Sequence, residues 1–237
     1  MTRSTTTLLP IVTCEHADRM VPEDLAQLFR GLERVLDSHR GWDPGSRELA
    51  SRLARRLGAP CFEHTTSRLV IDVNRSLDRK KLFSEATLQL DEAARQSVID
   101  RFWRPHRERV TGAARELVAG GATVVQIGVH TFAPEFKNRV RRADVGLLYD
   151  PSRGLEKAFA HRVHEALKER RRDLRVRRNY PYFGKSDGLV TTLRGELPQD
   201  RYLGFELEVN QKFPLAGDTE AWERLQDDLV AAIHAAI

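Results

Sequence analysis

The run TVVQIGV, Thr123 to Val129, is the most strand-like stretch of the chain, and at its C-terminal end it delivers His130. Reading outward from it sets the fold class. Upstream, the apolar periodicity predicts a long helix from about Asp91 to Ala119, closed by Gly120-Gly121, with Pro105 inside it as a kink or a split. Further back lie two strand predictions, Arg68 to Asn74 (RLVIDVN) and Pro60 to His64. Before them come a helix from Asp43-Pro44 to Leu57, ended by Gly58, and the Gly- and Pro-rich loop HRGWDPG, residues 39–45. A helix opened by Pro22 runs to about Leu36, its stripe made by Leu25, Leu28, Phe29 and Leu32. The first strand is LLPIVTC, Leu8 to Cys14, and it ends in Glu15-His16-Ala17-Asp18.

Downstream, a loop rich in Pro, Lys and Arg leads to a strand at Ala143–Tyr149, a helix at Leu155–Arg170 and a strand at Leu174–Arg178. Tyr180 to Leu197 is Gly-rich and reads as a hairpin or a site loop, followed by a strand at Arg201–Asn210 and a closing helix at Trp222–Ile237. Strands alternating with helices predict an α/β fold of three layers, a mostly parallel sheet covered by helices on both faces. Neither repeats, low-complexity tracts nor a linker interrupt residues 1–237, which read as one domain.

Composition narrows the classes. Apolar residues make up 41% of the 237, enough for a sizeable core, and the 31% charged residues fall between periodic apolar positions. No run approaches the roughly 18 apolar residues of a membrane span. Met1 to Pro10 has too short an apolar segment for a signal peptide, so the expectation is a cytoplasmic protein without a membrane partner. The two cysteines, Cys14 and Cys61, lack the spacing of a zinc knuckle or a disulfide framework and read as small buried residues. The net charge of +5 is mostly arginine, densest in KERRRDLRVRR, Lys168 to Arg178. That run lacks the interleaved aromatics of a nucleic-acid surface and reads as a solvated helix end; no nucleic-acid partner is expected.

Open α/β sheets bind ligands beyond the carboxyl ends of their strands. In this sequence those ends hold His16, Asn74-Arg75, His130 and Asp150, with Glu206 and Glu208 on the late strand. Two histidines, carboxylates and an arginine make a plausible catalytic zinc set, with three protein ligands and an open fourth position. Glu206 and Glu208 lie two apart on a strand and share a face, so their like charges call for a metal or an arginine nearby. Asp43, before Pro44, reads by itself as the N-cap of the helix that Pro44 opens.

Seven segments, in order, carry a resemblance: CEHADRMVP, GWDPGSRELA, RLVIDVNRS, VHTFAP, RADVGLLYDP, NYPYFGKSDGL and YLGFELEVNQ. From about Cys14 to Gln211 this series resembles the motifs of the N-formylglutamate amidohydrolase family. That family is similar to the zinc carboxypeptidases and to the aspartoacylase and succinylglutamate desuccinylase group. The resemblance implies a carboxypeptidase/phosphorylase-hydrolase-like mixed sheet and a cofactor, Zn²⁺ or another divalent transition metal. It implies His16 and His130 as metal ligands, with Asp43 the candidate third. Carboxypeptidase-like sites take their carboxylate three residues after the first histidine, where this chain has Arg19.

By the same resemblance Glu208 is the general base, and Glu206 and Asn210 support it. Glu15 stands beside His16 and, pointing the other way along an extended chain, supports the site without binding the ion. Asp72-Val73-Asn74-Arg75 reads as a D-x-N-R segment, in which Arg75 grips a substrate carboxylate in bidentate fashion beside Asn74. Arg139, Arg141 and Arg142 are candidates for a second anion contact, and Tyr182 for a hydrogen bond to the developing oxyanion. The implied partner is a small-molecule carboxylate, and the implied reaction is hydrolysis of N-formyl-L-glutamate to formate and glutamate. Another N-acyl amino acid or small peptide is the alternative substrate. A non-catalytic binding protein using the 168–178 face is the alternative of another class.

Overall fold

In a computed structural model the described residues are 8–237, so most of the Met1–Pro10 stretch lies outside them. Strand β1, Leu8–Cys14, is followed by a 3-10 segment, Glu23–Phe29, and the four-residue helix α1, Glu33–Leu36. The continuous helix expected over residues 22–36 is therefore two short turns of helix, although Leu25 and Phe29 are buried as its stripe implied. Helix α2, Ser46–Leu57, and strand β2, Cys61–Glu63, come next. A π-helical turn, Ile99–Trp103, joins α3, Glu92–Val98, to α4, Arg104–Ala119, with Pro105 in the first turn of α4. The split thus falls where proline lacks the N–H that a continuing helix needs.

Strand β3, Thr123–Phe132, runs three residues past Val129, so His130 sits inside it. Strands β4, Glu135–Phe136, and β5, Arg139–Val140, form a hairpin turned by Lys137 and Asn138 at positive φ, in the stretch expected to be loop. After them come β6, Val145–Leu148, α5, Gly154–Arg170, β7, Val176–Arg178, and α6, Leu189–Glu196. Helix α6 occupies the end of the Gly-rich stretch that showed no helical signal. Strand β8, Tyr202–Asn210, and helix α7, Thr219–Ala236, complete the chain.

The main sheet has six strands in the order β2-β1-β3-β8-β6-β7, parallel throughout except for β6 against β8. The mostly parallel sheet with helices on both faces agrees with expectation. The segment 68–74 does not join it. Ser67 Oγ donates to the Gly41 carbonyl, and the backbone folds into turns, with Val70 N donating to Ser67 O and Arg75 N to Asp72 O. Its run of buried apolar residues (Val70, Ile71 and Val73) packs on Leu25 and Phe29 in a separate cluster, which is why it looks like a strand.

Alternation along the central strands separates two cores. Val12, Val125, Ile127, Val129, Phe205, Leu207 and Val209 face α2, α5 and α7. Ile11, Val124 and Tyr202 face α4 and α6. On this second face the same period changes character toward the carboxyl ends. Val124 gives way to Gln126, Gly128 and His130, and Tyr202 to Gly204, Glu206 and Glu208. Apolar packing at one end of the face and ionisable groups at the other place the site.

The basic run is partly neutralised by its neighbours, with Arg170 Nε 3.2 Å from Asp228 and Arg171 held by both Asp173 and Asp228. No helix among the described residues is long and apolar enough to cross a membrane.

The chain at Tyr180 crosses β6 at Gly146, where a Cβ would run into the Tyr180 carbonyl and crowd the Glu208 side chain. Gly146→Ala is expected to cost about 1–3 kcal/mol by overpacking, a fall in melting temperature of roughly 3–10 °C for a chain of this size. An unchanged thermal melt would show that the crossing yields freely.

Candidate active site

Three elements converge beyond the carboxyl ends of the sheet. His16 follows β1, His130 stands in β3, and Asp43 arrives from the loop before α2. Backbone bonds hold that loop between the two strands: Asp43 N donates to His16 O, and Thr131 Oγ1 donates to Pro44 O. Gly45 makes the tight entry to α2 at φ +83°, where a side chain would collide with Pro214. The Asp43 carboxylate makes no cap bond to the helix. Its Oδ2 lies 3.3 Å from His16 Nδ1 and 3.0 Å from His130 Nδ1. Of the two roles open to it in the sequence, the geometry displays the one at the cluster.

Behind each ring stands a second carboxylate. His16 Nε2 is 2.8 Å from Asp72 Oδ1, and His130 Nε2 is 3.3 Å from Glu15 Oε2. A neutral imidazole carries one N–H. If Nε2 holds it toward the rear carboxylate, both Nδ1 lone pairs point at the same oxygen of Asp43. That convergence is repulsive unless protons or a cation lie among the three groups. Tetrahedral zinc, with bonds of about 2.0–2.1 Å, sets neighbouring ligand atoms roughly 3.3 Å apart, close to the separations found. One ligand atom from each of His16, Asp43 and His130 lies within 4.8 Å of the others, the one such group among the described residues. Two imidazoles and a carboxylate, with Asp72 fixing the far nitrogen of His16 and Glu15 standing 3.3 Å from that of His130 without a hydrogen bond, fit a divalent transition metal.

Glu208 is the parallel-register partner of His130, and Glu206 that of Gly128. Glu206 Oε1 is 3.8 Å from His130 Nε2, while the buried Glu208 Oε2 has no hydrogen-bond partner. Burial pushes the Glu208 carboxyl up to about 8; His130 opposes the rise, and the Asp43 and Glu206 carboxylates add to it. Burial likewise raises Glu206. Burial disfavours a charged His130 ring, yet Asp43 and Glu15 hold its pKa well above the usual histidine range. The cluster is short of positive charge.

Two arginines face it. Arg75, at the cavity wall, donates through Nη1 to the Asp187 carbonyl and lies 3.7 Å from Asp72. Arg68, which sequence reasoning passed over, bridges Asp72 at 2.9 Å and Asp43 at 3.4 Å. A strand over 68–74 would set residues 68 and 72 far apart. In the actual turn they meet. Asn74 lines the cavity, but its Oδ1 accepts from Leu189 N at the start of α6. Trp103 Nε1 and Arg107 Nη2 both donate to the Arg75 carbonyl, and Arg107 Nε donates to Val73 O, so the π-helical turn and α4 clamp this loop. Pro105, which marks the break between the π-helical turn and α4, was the available signal for them.

The cavity holding these groups has a volume of 670 Å³ and includes Tyr182, Lys80 and Lys81 at its wall. Tyr182 is half-exposed, and its hydroxyl accepts from Arg141 at 3.4 Å. Arg139 and Arg142 are exposed and do not line the cavity, because the β4–β5 hairpin carries them outward. Arg19 is exposed and pairs with Asp37, and Asn210 binds the Arg141 and Ala143 carbonyls.

Sheet, cluster and cavity together define a three-layer α/β protein with a two-histidine, one-carboxylate centre suited to a divalent metal. The model of the N-formylglutamate amidohydrolase family matches residues 10–214, and the chain belongs to that family of amidohydrolases. A gene product of Agrobacterium tumefaciens is similar in structure, with a TM-score of 0.76 at 29% identity over 97% of this chain and 91% of that one. The N-formylglutamate amidohydrolase of Ralstonia eutropha JMP134 shares the fold at a TM-score of 0.72 and 19% identity, over 98% and 94% of the two chains. A metallo-carboxypeptidase of Pseudomonas aeruginosa aligns at a TM-score of 0.40 and 15% identity, over 99% of this chain and 58% of that one. No curated protein matches the chain.

A second histidine pair was not foreseen. His64 and His106 are buried with ring centroids 5.3 Å apart, and His64 Nε2 and both ring nitrogens of His106 have no partner among the described residues. Burial lowers the pKa of His64 to about 3 and of His106 to about 4. Their folded values lie below the unfolded value of about 6.5, so their contribution is complete above pH 6.5 and is lost as pH falls toward 4 and 3. Urea unfolding between pH 6 and 5 is expected to show a stability slope for His106→Phe smaller than wild type by about 1.4 kcal/mol per pH unit. Equal slopes would mean that His106 is already charged when folded.

Proposed function

We propose that this protein is a metal-dependent amidohydrolase of N-acyl amino acids, with N-formyl-L-glutamate, cleaved to formate and glutamate, as the leading substrate. The observation that supports this most is the convergence of both histidine Nδ1 atoms on one Asp43 oxygen, with the unpartnered Glu208 carboxyl on the adjacent strand. Held by His16, Asp43 and His130, zinc or a similar ion supplies Lewis acidity toward the scissile carbonyl and lowers the pKa of water.

The remaining work falls to side chains. Glu208 takes a proton from the attacking water and passes it to the departing amine. Its raised pKa suits both directions of that transfer. Arg75 holds the substrate α-carboxylate, and Asn74 and the Trp103–Arg107 clamp keep the loop in place, so the amide is presented at a fixed angle. Asp72 holds the far nitrogen of His16 by a hydrogen bond, and Glu15 places a carboxylate 3.3 Å from that of His130, which leaves both near nitrogens turned to the ion. Tyr182 can donate its hydroxyl hydrogen to the developing oxyanion while accepting from Arg141.

Metal-loaded protein is expected to release formate from N-formyl-L-glutamate, measured by a coupled formate assay. Chelation should stop the release, and His130→Ala should lose both bound metal and activity. Glu208→Gln is expected to retain metal while kcat falls about 10²–10⁴-fold. Full activity of chelated His130→Ala would sink the mechanism.

A further inference from the structure

Among the described residues ten large apolar side chains are exposed, and four of them, Leu88, Phe136, Tyr182 and Phe183, line the mouth of the one cavity that holds the histidine cluster. Single exposed apolar residues are ordinary, but a group gathered at one cavity marks a binding surface. They come from three separate segments: the 3-10 turn Thr87–Gln89, strand β4, and the stretch between β7 and α6. Phe183 is the most open, at 73% exposure.

The rim is built, not casual. The Arg141 guanidinium carbon lies 4.7 Å from the Phe136 ring centroid and 5.2 Å from that of Tyr182, so one cation joins rings from two loops. A surface preorganised in this way loses less freedom when a ligand covers it. The same cavity is lined by the cations Arg75, Lys80 and Lys81. An occupant that satisfies both the rings and the cations carries a carboxylate and an apolar body.

N-formylglutamate meets only half of that description. Its acyl group is one carbon and its side chain ends in a second carboxylate, so no part of it covers an aromatic rim. The volume of 670 Å³ lies well inside the range of about 300–1,000 Å³ found for drug-sized ligands. We propose that the site takes amphiphilic N-acyl amino acids, with an aromatic or long aliphatic group seated on Phe136, Phe183 and Leu88. The proposal rests on the amidohydrolase reading for the placement of the amide and α-carboxylate. The apolar group is either the acyl chain or the amino-acid side chain, and both satisfy the same chemistry.

The test separates binding from turnover. Calorimetry on the metal-loaded protein compares L-glutamate with N-benzyl-L-glutamate and N-methyl-L-phenylalanine, none of which contains a cleavable amide. At least one aromatic ligand is expected to bind about tenfold or more tightly than L-glutamate. The double variant Phe136→Ser/Phe183→Ser, altered at exposed positions, should lose most of that gain. Which of the two aromatic ligands gains tells whether the rim receives the acyl or the side-chain position. If neither binds more tightly, or if the variant keeps the full gain, the proposal is overturned. Hydrolysis of N-formyl-L-glutamate, N-formyl-L-phenylalanine and N-hexanoyl-L-glutamate is measured in parallel. Tight aromatic binding with no hydrolysis of any amide would uphold the rim and defeat the amidohydrolase reading. Good hydrolysis of N-formyl-L-glutamate with no aromatic gain would do the reverse.

Discussion

The oxygen of Asp43 shared by two imidazoles is the constraint on which the rest of the site depends. Around it five carboxyl groups, Glu15, Asp43, Asp72, Glu206 and Glu208, gather about two rings. Arg68 and Arg75 are the fixed cations near them. Buried like charges shift their proton affinities until the local charge is tolerable. That pressure is visible in Glu208 and in His130, which both hold their protons more tightly than usual. A divalent cation at the cluster answers the same need and would let Glu208 ionise. Acid–base poise and metal affinity are then two expressions of one charge deficit.

The fold produces this deficit without deforming the sheet. One face of β3 and β8 is apolar where α4 and α6 cover it and ionisable where that cover ends. The period-two rule alone carries Val124 and Tyr202 at one end to His130 and Glu208 at the other. What the strands leave unsupplied comes from the loop 72–75, and that loop is held from outside the sheet. Arg107 and Trp103 take its carbonyls, Asp187 takes Ser76 and faces Arg75, and Leu189 N takes Asn74. Burying Arg107 is costly, and its charge-assisted bonds to the Val73 and Arg75 carbonyls and to the Thr192 hydroxyl offset the cost.

The strand-borne part of the site was legible because strand ends in an open α/β sheet are few and their side-chain parity is fixed. His16, His130 and the Glu206/Glu208 pair all followed from that rule. Asp43 was half-legible, since aspartate before proline serves a helix start as readily as a metal. The loop-borne part was misread for a physical reason. Val70, Ile71 and Val73 are buried, and a short buried apolar run has the same composition in a turn as in a strand. Taking it for a strand hid the meeting of Arg68 with Asp72. Helix α6 escaped notice because its N-terminal neighbours, Gly184 to Gly188, carry a loop composition that masked Leu189, Val190 and Leu193. Arg139 and Arg142 were credited to the site on charge alone, and a two-residue hairpin turn points them elsewhere.

That last displacement bears on specificity. In the proposed reading a dicarboxylate needs two anion contacts, of which Arg75, already donating one N–H to the Asp187 carbonyl, would supply one. With Arg139 and Arg142 off the cavity, the other cations on its wall are Arg40, Lys80 and Lys81, besides Arg68, which Asp43 and Asp72 already hold. Lysine is a mobile point charge without the planar fork that fixes a carboxylate in orientation. A γ-carboxylate held by the lysines alone would be attracted here more than it is positioned. The other surface that a ligand side chain meets at this mouth is the pair of rings, Phe136 and Tyr182, stacked on Arg141.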